Sequence, residues 1–334
     1  MIDKIHISFS GGETSAWMTY YLLNVYYKTY WDVSLEVHVG VDPKTGKKVH
    51  VIVTFANTGQ ENEETLEFVK LCDEYFNFST VWIEALFRFK IGGIIYNVID
   101  FLDNILSTKW FGSRLGVRFK VVDFESADRK GIVYESFIAR YGLPNVANAS
   151  CTRGMKLRPM QNYLISKGWP RGSYSIAVGI RVDEIDRMSV SKDENRIFYP
   201  CISIKPMTKS KVNGFWSLQP FRLNLKGYQG NCKWCFKKHD PKLWQLAKES
   251  PEIFDFPIKM EDKYGSYITP DRLRFLEKNN KPIPNLKDRK YTFFRKGRSA
   301  QDILEESKDF SKQIVDDSQV YETESCEIYS SCGD

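Results

Sequence analysis

Residues 10–15 read Ser-Gly-Gly-Glu-Thr-Ser. They stand between a short alternating apolar run, IHISF, and a stretch with apolar residues at helical spacing, Trp17, Met18, Tyr21 and Leu22. A plain strand-to-helix turn needs one glycine at most. Two glycines flanked by Ser10, Thr14 and Ser15 suit a turn whose backbone N–H groups approach an anion at the positive end of a helix. The pattern is not the Walker type, because no Gly-Lys-Ser/Thr follows, and it is not Gly-x-Gly-x-x-Gly. The same residues would also make a tight turn with Ser/Thr capping.

Two further clusters carry chemistry. In RVDEIDR, Arg181 can pair bidentately with a phosphate, and Asp183 or Glu184 can hold Mg²⁺ through oxygen. The same stretch also reads as a solvated helix start with local ion pairs. Seven cysteines lie at 72, 151, 201, 232, 235, 326 and 332, an odd number that argues against a disulfide framework. CKWC, residues 232–235, has the spacing at which two thiolates share one metal. Gly230 before it and the basic FKKH after it favour thiolate. Cys72 falls on an apolar helical face and reads as core.

The elements that must position these groups alternate. Strands are expected at 5–9, 49–55, within STVWIEA, and at 175–180. Helices are expected at 14–27, at 63–76 with Leu66, Val69, Leu71 and Phe76 on its apolar face, and in KLRPMQNYLISKG with Pro159 in its first turn. Residues 31–48 read as a hairpin with DPKTGKK as its turn, and 86–135 as irregular. This order predicts an α/β fold with a Rossmann-like parallel sheet and helices on both faces. From 205 the pattern changes to short helices and loops. The expected organisation is a nucleotide-binding domain over 1–204, a cysteine-bearing region over 205–315 and a mobile acidic tail over 316–334.

The 334 residues can bury a sizeable core without staples. The net charge of +6 permits a nucleic-acid partner without demanding one. Residues 205–244 and RKYTFFRKGR (289–298) interleave Lys/Arg with aromatic rings, which suits either base stacking or an aromatic core under long basic side chains. No run of about 18 apolar residues exists and MIDKIHISF lacks a signal-peptide layout, so a cytoplasmic protein with no membrane partner is expected.

Ser-Gly-Gly-x-x-Ser after the first strand resembles the PP-loop of the N-type ATP pyrophosphatases. FANTGQENEETLEFV, VGIRVDEIDRM, SCTRGMKLRP and GNCKWCFKK resemble further motifs of the phosphoadenosine-phosphosulfate (PAPS) reductase-like group. These include cysteine-bearing phage members and the sulfur-inserting enzymes of DNA phosphorothioation. The matches follow in order over residues 5–240.

The resemblance implies an adenine nucleotide hydrolase-like fold. It also implies a PAPS reductase-like sulfurtransferase or ATP pyrophosphatase acting on ATP or a related adenylate, with Mg²⁺. Ser10, Gly11, Gly12, Thr14 and Ser15 would hold phosphates. Asn57, Thr58 and Gly59 would border the adenosine, and Arg181, Asp183 and Glu184 would face the phosphate site. Thr14 stands where ATP-using members commonly carry Asp. Cys151, Cys232 and Cys235 would bind a [4Fe–4S] cluster, with Cys201 either a candidate fourth ligand or simply buried. A Zn²⁺ site using His239 is the alternative. A sulfur donor protein and a nucleic-acid acceptor are implied partners. Reduction of PAPS or adenylyl sulfate by a tail thiol, Cys332 with or without Cys326, is a second reading, and a nucleotide-dependent binding module without turnover is a third.

Overall fold

The IHISF run forms the central strand of a nine-stranded sheet in the computed structural model, which describes residues 3–91, 94–97, 117–285 and 290–318. The strands are β1 (Asp3–Ser8), β2 (Tyr30–Asp32), β3 (Val37–Val41), β4 (Lys48–Asn57), β5 (Val81–Ile91), β6 (Ile94–Asn97), β7 (Val117–Val122), β8 (Ser175–Ala177) and β9 (Ile197–Phe198). The sheet is mostly parallel at its centre. β5, β4, β1, β8 and β9 lie side by side in that order, each pair parallel. Antiparallel strands extend the edges. The expected DPKTGKK turn joins β3 to the first half of β4 as an antiparallel hairpin, and β2 adds to the outer edge of β3. β6 and β7 pair with β5, inside the stretch expected to be irregular.

Helices cover both faces. α1 (Glu13–Tyr20) runs on into a π-helical turn, Tyr21–Tyr26, so the expected helix over 14–27 is present with its second half wound differently. α2 (Glu63–Phe76) carries Glu63 and Glu64 in its first turn, where the helix dipole favours them, and stops at Asn77 in the left-handed conformation. α1 and α2 pack Met18, Leu66, Val69 and Cys72 against Ile5, Ile7, Val51, Val53 and Phe55. Leu71, expected on the apolar face of α2, is exposed, and Cys72 takes the core position. α3 (Ile132–Tyr141) follows β7. α4 (Arg158–Ser166) has Pro159 in its first turn and packs Met160, Tyr163 and Leu164 against Ile52, Ala56 and Ile83 on the opposite face.

After β9 come α5 (Pro200–Ser203), α6 (Lys209–Ser217), α7 (Asp240–Glu249), α8 (Asp255–Tyr264), α9 (Pro270–Lys278) and α10 (Ala300–Lys308). Two of the three cores cross the expected boundary at 204. Met207, Val212 and Trp216 join the core above β1 and β4. Tyr134 and Phe137 of α3, with Phe87 of β5, join Trp234, Leu243, Met260 and Ile303 in a second core. Asp316–Ser318, at the start of the expected tail, are held: Gly227 N–H donates to Asp316 and Asn213 donates to the Asp317 carbonyl. Cys326 and Cys332 lie outside the described residues. Among the described residues no helix is long and apolar enough to cross a membrane.

Candidate functional site

The Ser-Gly-Gly turn sits at the carboxyl end of β1, between β4 and β8. There the chain order across the sheet reverses, the position at which open α/β sheets bind ligands. Gly11 has φ +78°, and a Cβ there would lie 2.6 Å from Thr65 Cγ2. Only glycine satisfies both demands. Gly12 differs, because a Cβ there would meet Asn231 at an ordinary 3.5 Å. Ser15 is buried and internal to the loop: its Oγ donates to the Gly12 carbonyl (2.9 Å), accepts from Ser10 N–H (3.2 Å), and pairs with Ser10 Oγ (2.9 Å). No side chain caps the first turn of α1. Glu13 turns away from the loop and pairs with Arg222 through two contacts, 3.0 and 3.1 Å. Burial raises the Glu13 carboxyl, and Arg222 works against that rise.

Arg181 arrives from the loop after β8. Its guanidinium donates to Thr14 Oγ1 at 2.9 Å and to Asp183 at 3.0 and 3.1 Å, with Glu184 3.3 Å away. Asp183 is held below its ordinary value by Arg181, against a partial burial that raises it. The local ion pairs and the approach to Thr14 therefore coexist. Gly179 makes the approach possible: a Cβ there would lie 2.9 Å from Ser15 Cα. The expected strand over 175–180 ends at Ala177 for the same reason, since the chain must turn towards α1.

Asn57 ends β4 and Thr58 and Gly59 follow it, but their polar groups face inward. Asn57 is fully buried, donates to Glu84 Oε1 (2.7 Å) and the Asp128 carbonyl (2.9 Å), and accepts from Gly59 N–H (3.1 Å). Thr58 gives its N–H and hydroxyl to Glu61, both at 2.8 Å. These residues shape the loop from within. Lys156 reaches the buried Glu61 carboxylate at 3.2 Å.

The CKWC segment docks on this loop. Glu61 and Cys232 form an antiparallel bridge, Lys233 N–H donates to the Gln60 carbonyl (3.0 Å), and the Trp234 indole donates to Gln60 Oε1 (2.6 Å). Asn231 hydrogen-bonds the Ser10 carbonyl, so the segment also touches the glycine turn. The pairing of the two thiols and the nearby Lys237 N–H and Lys238 and Lys156 ammonium groups pull Cys235 down, against its burial, while the same pairing and burial push Cys232 up. Cys151 reaches the same neighbourhood, because all three thiols raise the buried Tyr134 hydroxyl, after burial itself.

Cys201 does not join them. It lies fully buried in the other core with Met207 and Trp216, and burial pushes its thiol up to about 12. His239 is exposed at the start of α7, with Arg295 3.5 Å from its Nδ1. Among the described residues no three His, Cys, Asp or Glu side chains are close enough to hold a metal ion. Cys201 is therefore not placed to be the expected fourth cluster ligand.

Most rings of the two basic stretches are core: Trp216, Tyr228, Trp234, Phe236, Phe293 and Phe294 are buried, Phe215, Phe221 and Trp244 are half-buried, and Tyr291 is exposed. A cleft of about 470 Å³ opens beside Gln60, Asn62, Lys130 and Lys233, and the glycine turn does not line it. Glu61, Lys156, Gly179, Asn231 and Lys238 were not singled out individually from sequence, although all five sit inside quoted motifs, which was their only signal.

The chain is thus a mixed α/β protein with a glycine turn at the end of its central strand and a thiol-bearing segment laid against that turn. Over 243 residues it is 27% identical to the uncharacterized nin region protein ORF290 of Escherichia phage lambda, covering 73% of this chain and 69% of that protein. No protein-family model and no solved structure matches it.

Proposed function

We propose that this chain is an adenine-nucleotide-binding enzyme of the PP-loop, PAPS reductase-like type. It holds ATP or a related adenylate at Ser10–Ser15 and activates a substrate for sulfur transfer. One observation carries the reading. The turn lies where the strand order reverses, and Arg181 crosses from the next strand's loop to Thr14, 2.9 Å away. Open N–H groups of α1 and a guanidinium then converge on one place, which suits a phosphate chain. The order β5-β4-β1-β8-β9 supports a Rossmann-like classification. Asp183 and Glu184 are the oxygen ligands available for Mg²⁺ beside the phosphates.

The N–H groups and Arg181 would stabilise charge developing on the transferred phosphoryl or adenylyl group. Asn57 and Glu61 would act through the loop they hold rather than by touching the nucleotide. The thiol segment, anchored to Ser10 through Asn231, stands next to the activated group. No step is assigned to a metal cluster. Equilibrium titration of the full chain with ATP, PAPS and adenylyl sulfate tests the reading. The expected result is micromolar binding of one of them, lost in Gly12→Val. Absence of binding by all three would overturn it. Release of pyrophosphate from ATP, with nucleic acid offered as sulfur acceptor, separates transfer from binding alone.

The second reading, adenylyl-sulfate reduction by a tail thiol, draws on one contact. Ser318, the last described residue, is held at its carbonyl by Arg222 (2.8 Å), the same residue that pairs with Glu13 beside the turn. Sulfite release that requires Cys332 would favour it.

A further inference from the structure

Positive charge gathers without counter-charge where three segments distant in the chain meet. Lys237 is exposed, and its Nζ lies 3.4 Å from Thr152 Oγ1, next to the exposed Arg153. Arg295 donates to the Lys237 carbonyl at 3.0 Å and comes within 3.5 Å of Nδ1 of the exposed His239. Lys296 follows it, exposed, in a tight turn closed by Phe294 N–H to the Arg298 carbonyl (3.2 Å). Its φ is +61°, a conformation uncommon for a residue with a side chain. Among the described residues Arg153, Lys237, Arg295 and Lys296 have no carboxylate partner. By contrast Arg129, Arg181, Arg187, Arg222 and Arg298 each pair with one. Asp240, the carboxylate nearest to Lys237 in sequence, is taken by Arg298 at 2.7 Å, and so is Glu306. Like charges held together repel one another, and a row of anions laid across them removes that repulsion.

We propose that Arg153, Lys237, Arg295 and Lys296 form a surface that binds the phosphate backbone of a nucleic-acid duplex without reading its sequence. Guanidinium and ammonium groups on separate segments suit a repeating anion rather than one phosphate. Single strands are held by stacking as well as by charge, but the neighbouring rings Trp234, Phe236, Phe293 and Phe294 are buried. A duplex can be held through its phosphates alone. Thr152 follows Cys151, and Lys237 stands two residues after Cys235, so a bound duplex runs beside the thiol segment. The duplex's role as sulfur acceptor rests on the proposed function; its binding does not.

The experiment titrates the full chain into a labelled DNA duplex, an RNA duplex of equal length and one of the single strands, and follows fluorescence anisotropy at several salt concentrations. One or both duplexes should bind, and four phosphate contacts should lower the affinity about 100-fold between about 50 and 200 mM salt. Lys237→Gln with Lys296→Gln should weaken duplex binding at least about tenfold and flatten the salt slope by about two contacts. The control, Lys44→Gln with Lys47→Gln, removes the same charge from exposed positions in the turn between β3 and β4, at the opposite end of β4 from Asn57, and should stay within about twofold of the wild type. If the first variant fails to fold, acetylation of the wild type replaces it. The duplex should then protect Lys237 and Lys296, read by peptide mass spectrometry, and leave Lys44 and Lys47 reactive. Absent or salt-independent duplex binding, equal losses in both variants, or equal protection of all four lysines would overturn the proposal. So would tighter binding of the single strand, or displacement of the duplex by poly-glutamate of equal charge, which would give the face to an acidic protein. ATP titrations of the same samples keep failure here distinct from failure of the nucleotide site.

Discussion

Arg181 places its guanidinium 2.9 Å from the Thr14 hydroxyl, joining the loop after β8 to the first turn of α1 beside the central strand. The contact sets a positive charge at the open end of α1 and gives that charge two carboxylate partners behind it, Asp183 and Glu184.

Removing the guanidinium should affect binding more than stability. Arg181→Ala is expected to weaken adenine-nucleotide binding by about 10- to 100-fold, the size of one or two hydrogen bonds to a charged group. Arg181→Lys should recover part of the charge but not the planar, bidentate geometry. Isothermal titration of the three proteins measures it, and equal affinities would remove Arg181 from the site.

The two glycines of the turn should separate folding from binding. Gly11→Ala combines an unfavourable φ with a 2.6 Å clash against Thr65, so a loss of about 2–4 kcal/mol is expected in urea unfolding. Gly12→Ala meets nothing closer than 3.5 Å and should leave stability within about 0.5 kcal/mol while obstructing ligand approach. Matching midpoints for both variants would contradict the assigned roles.

Glu13 and Arg222 tie the start of α1 to the chain after α6, and both side chains are largely buried. Arg222→Ala should cost about 3–5 kcal/mol, because it strands a buried carboxylate. Replacing both partners with apolar residues should cost less than the single change. A double-mutant cycle by denaturant unfolding decides the point.

Glu261 sets a pH dependence. It is buried in α8 and accepts Phe293 N–H (2.9 Å) and Ala300 N–H (2.7 Å), and burial outweighs those bonds to raise its carboxyl to about 7. A raised acid group makes the folded state the tighter proton binder. Its contribution is therefore present below the ordinary value of 4.5 and is lost as pH rises to about 7, by about 3 kcal/mol in all. Thermal unfolding between pH 4.5 and 7 should show that slope in the wild type and a flatter one in Glu261→Gln.

Much of the frame was legible in the chain itself. The runs at β1, β4 and β5 and the helices α1, α2 and α4 announced themselves through periodicity and turn chemistry, which act over a few neighbouring residues. Pro159 marked a first helical turn, and Cys72 a core position. Other elements were placed only in part or not at all. β8 ends early because Gly179 must pass Ser15, and β6 and β7 are held by pairing with β5 rather than by any local pattern.

By itself, the sequence determined the alternation of strands and helices, the place of the glycine turn and the C-x-x-C spacing. Tertiary structure decided what meets at the turn. Asn231 and Ser10 are 221 residues apart, and Arg222 and Glu13 are 209 apart, so no local window contains either contact. It also decided between residues of the same type. Cys235 gained donors and cations while Cys201 was enclosed by Met207 and Trp216, and most rings of the basic stretches turned inward. Residue type sets what a side chain can do. Burial and partners, which exist only once distant segments pack together, set what it does.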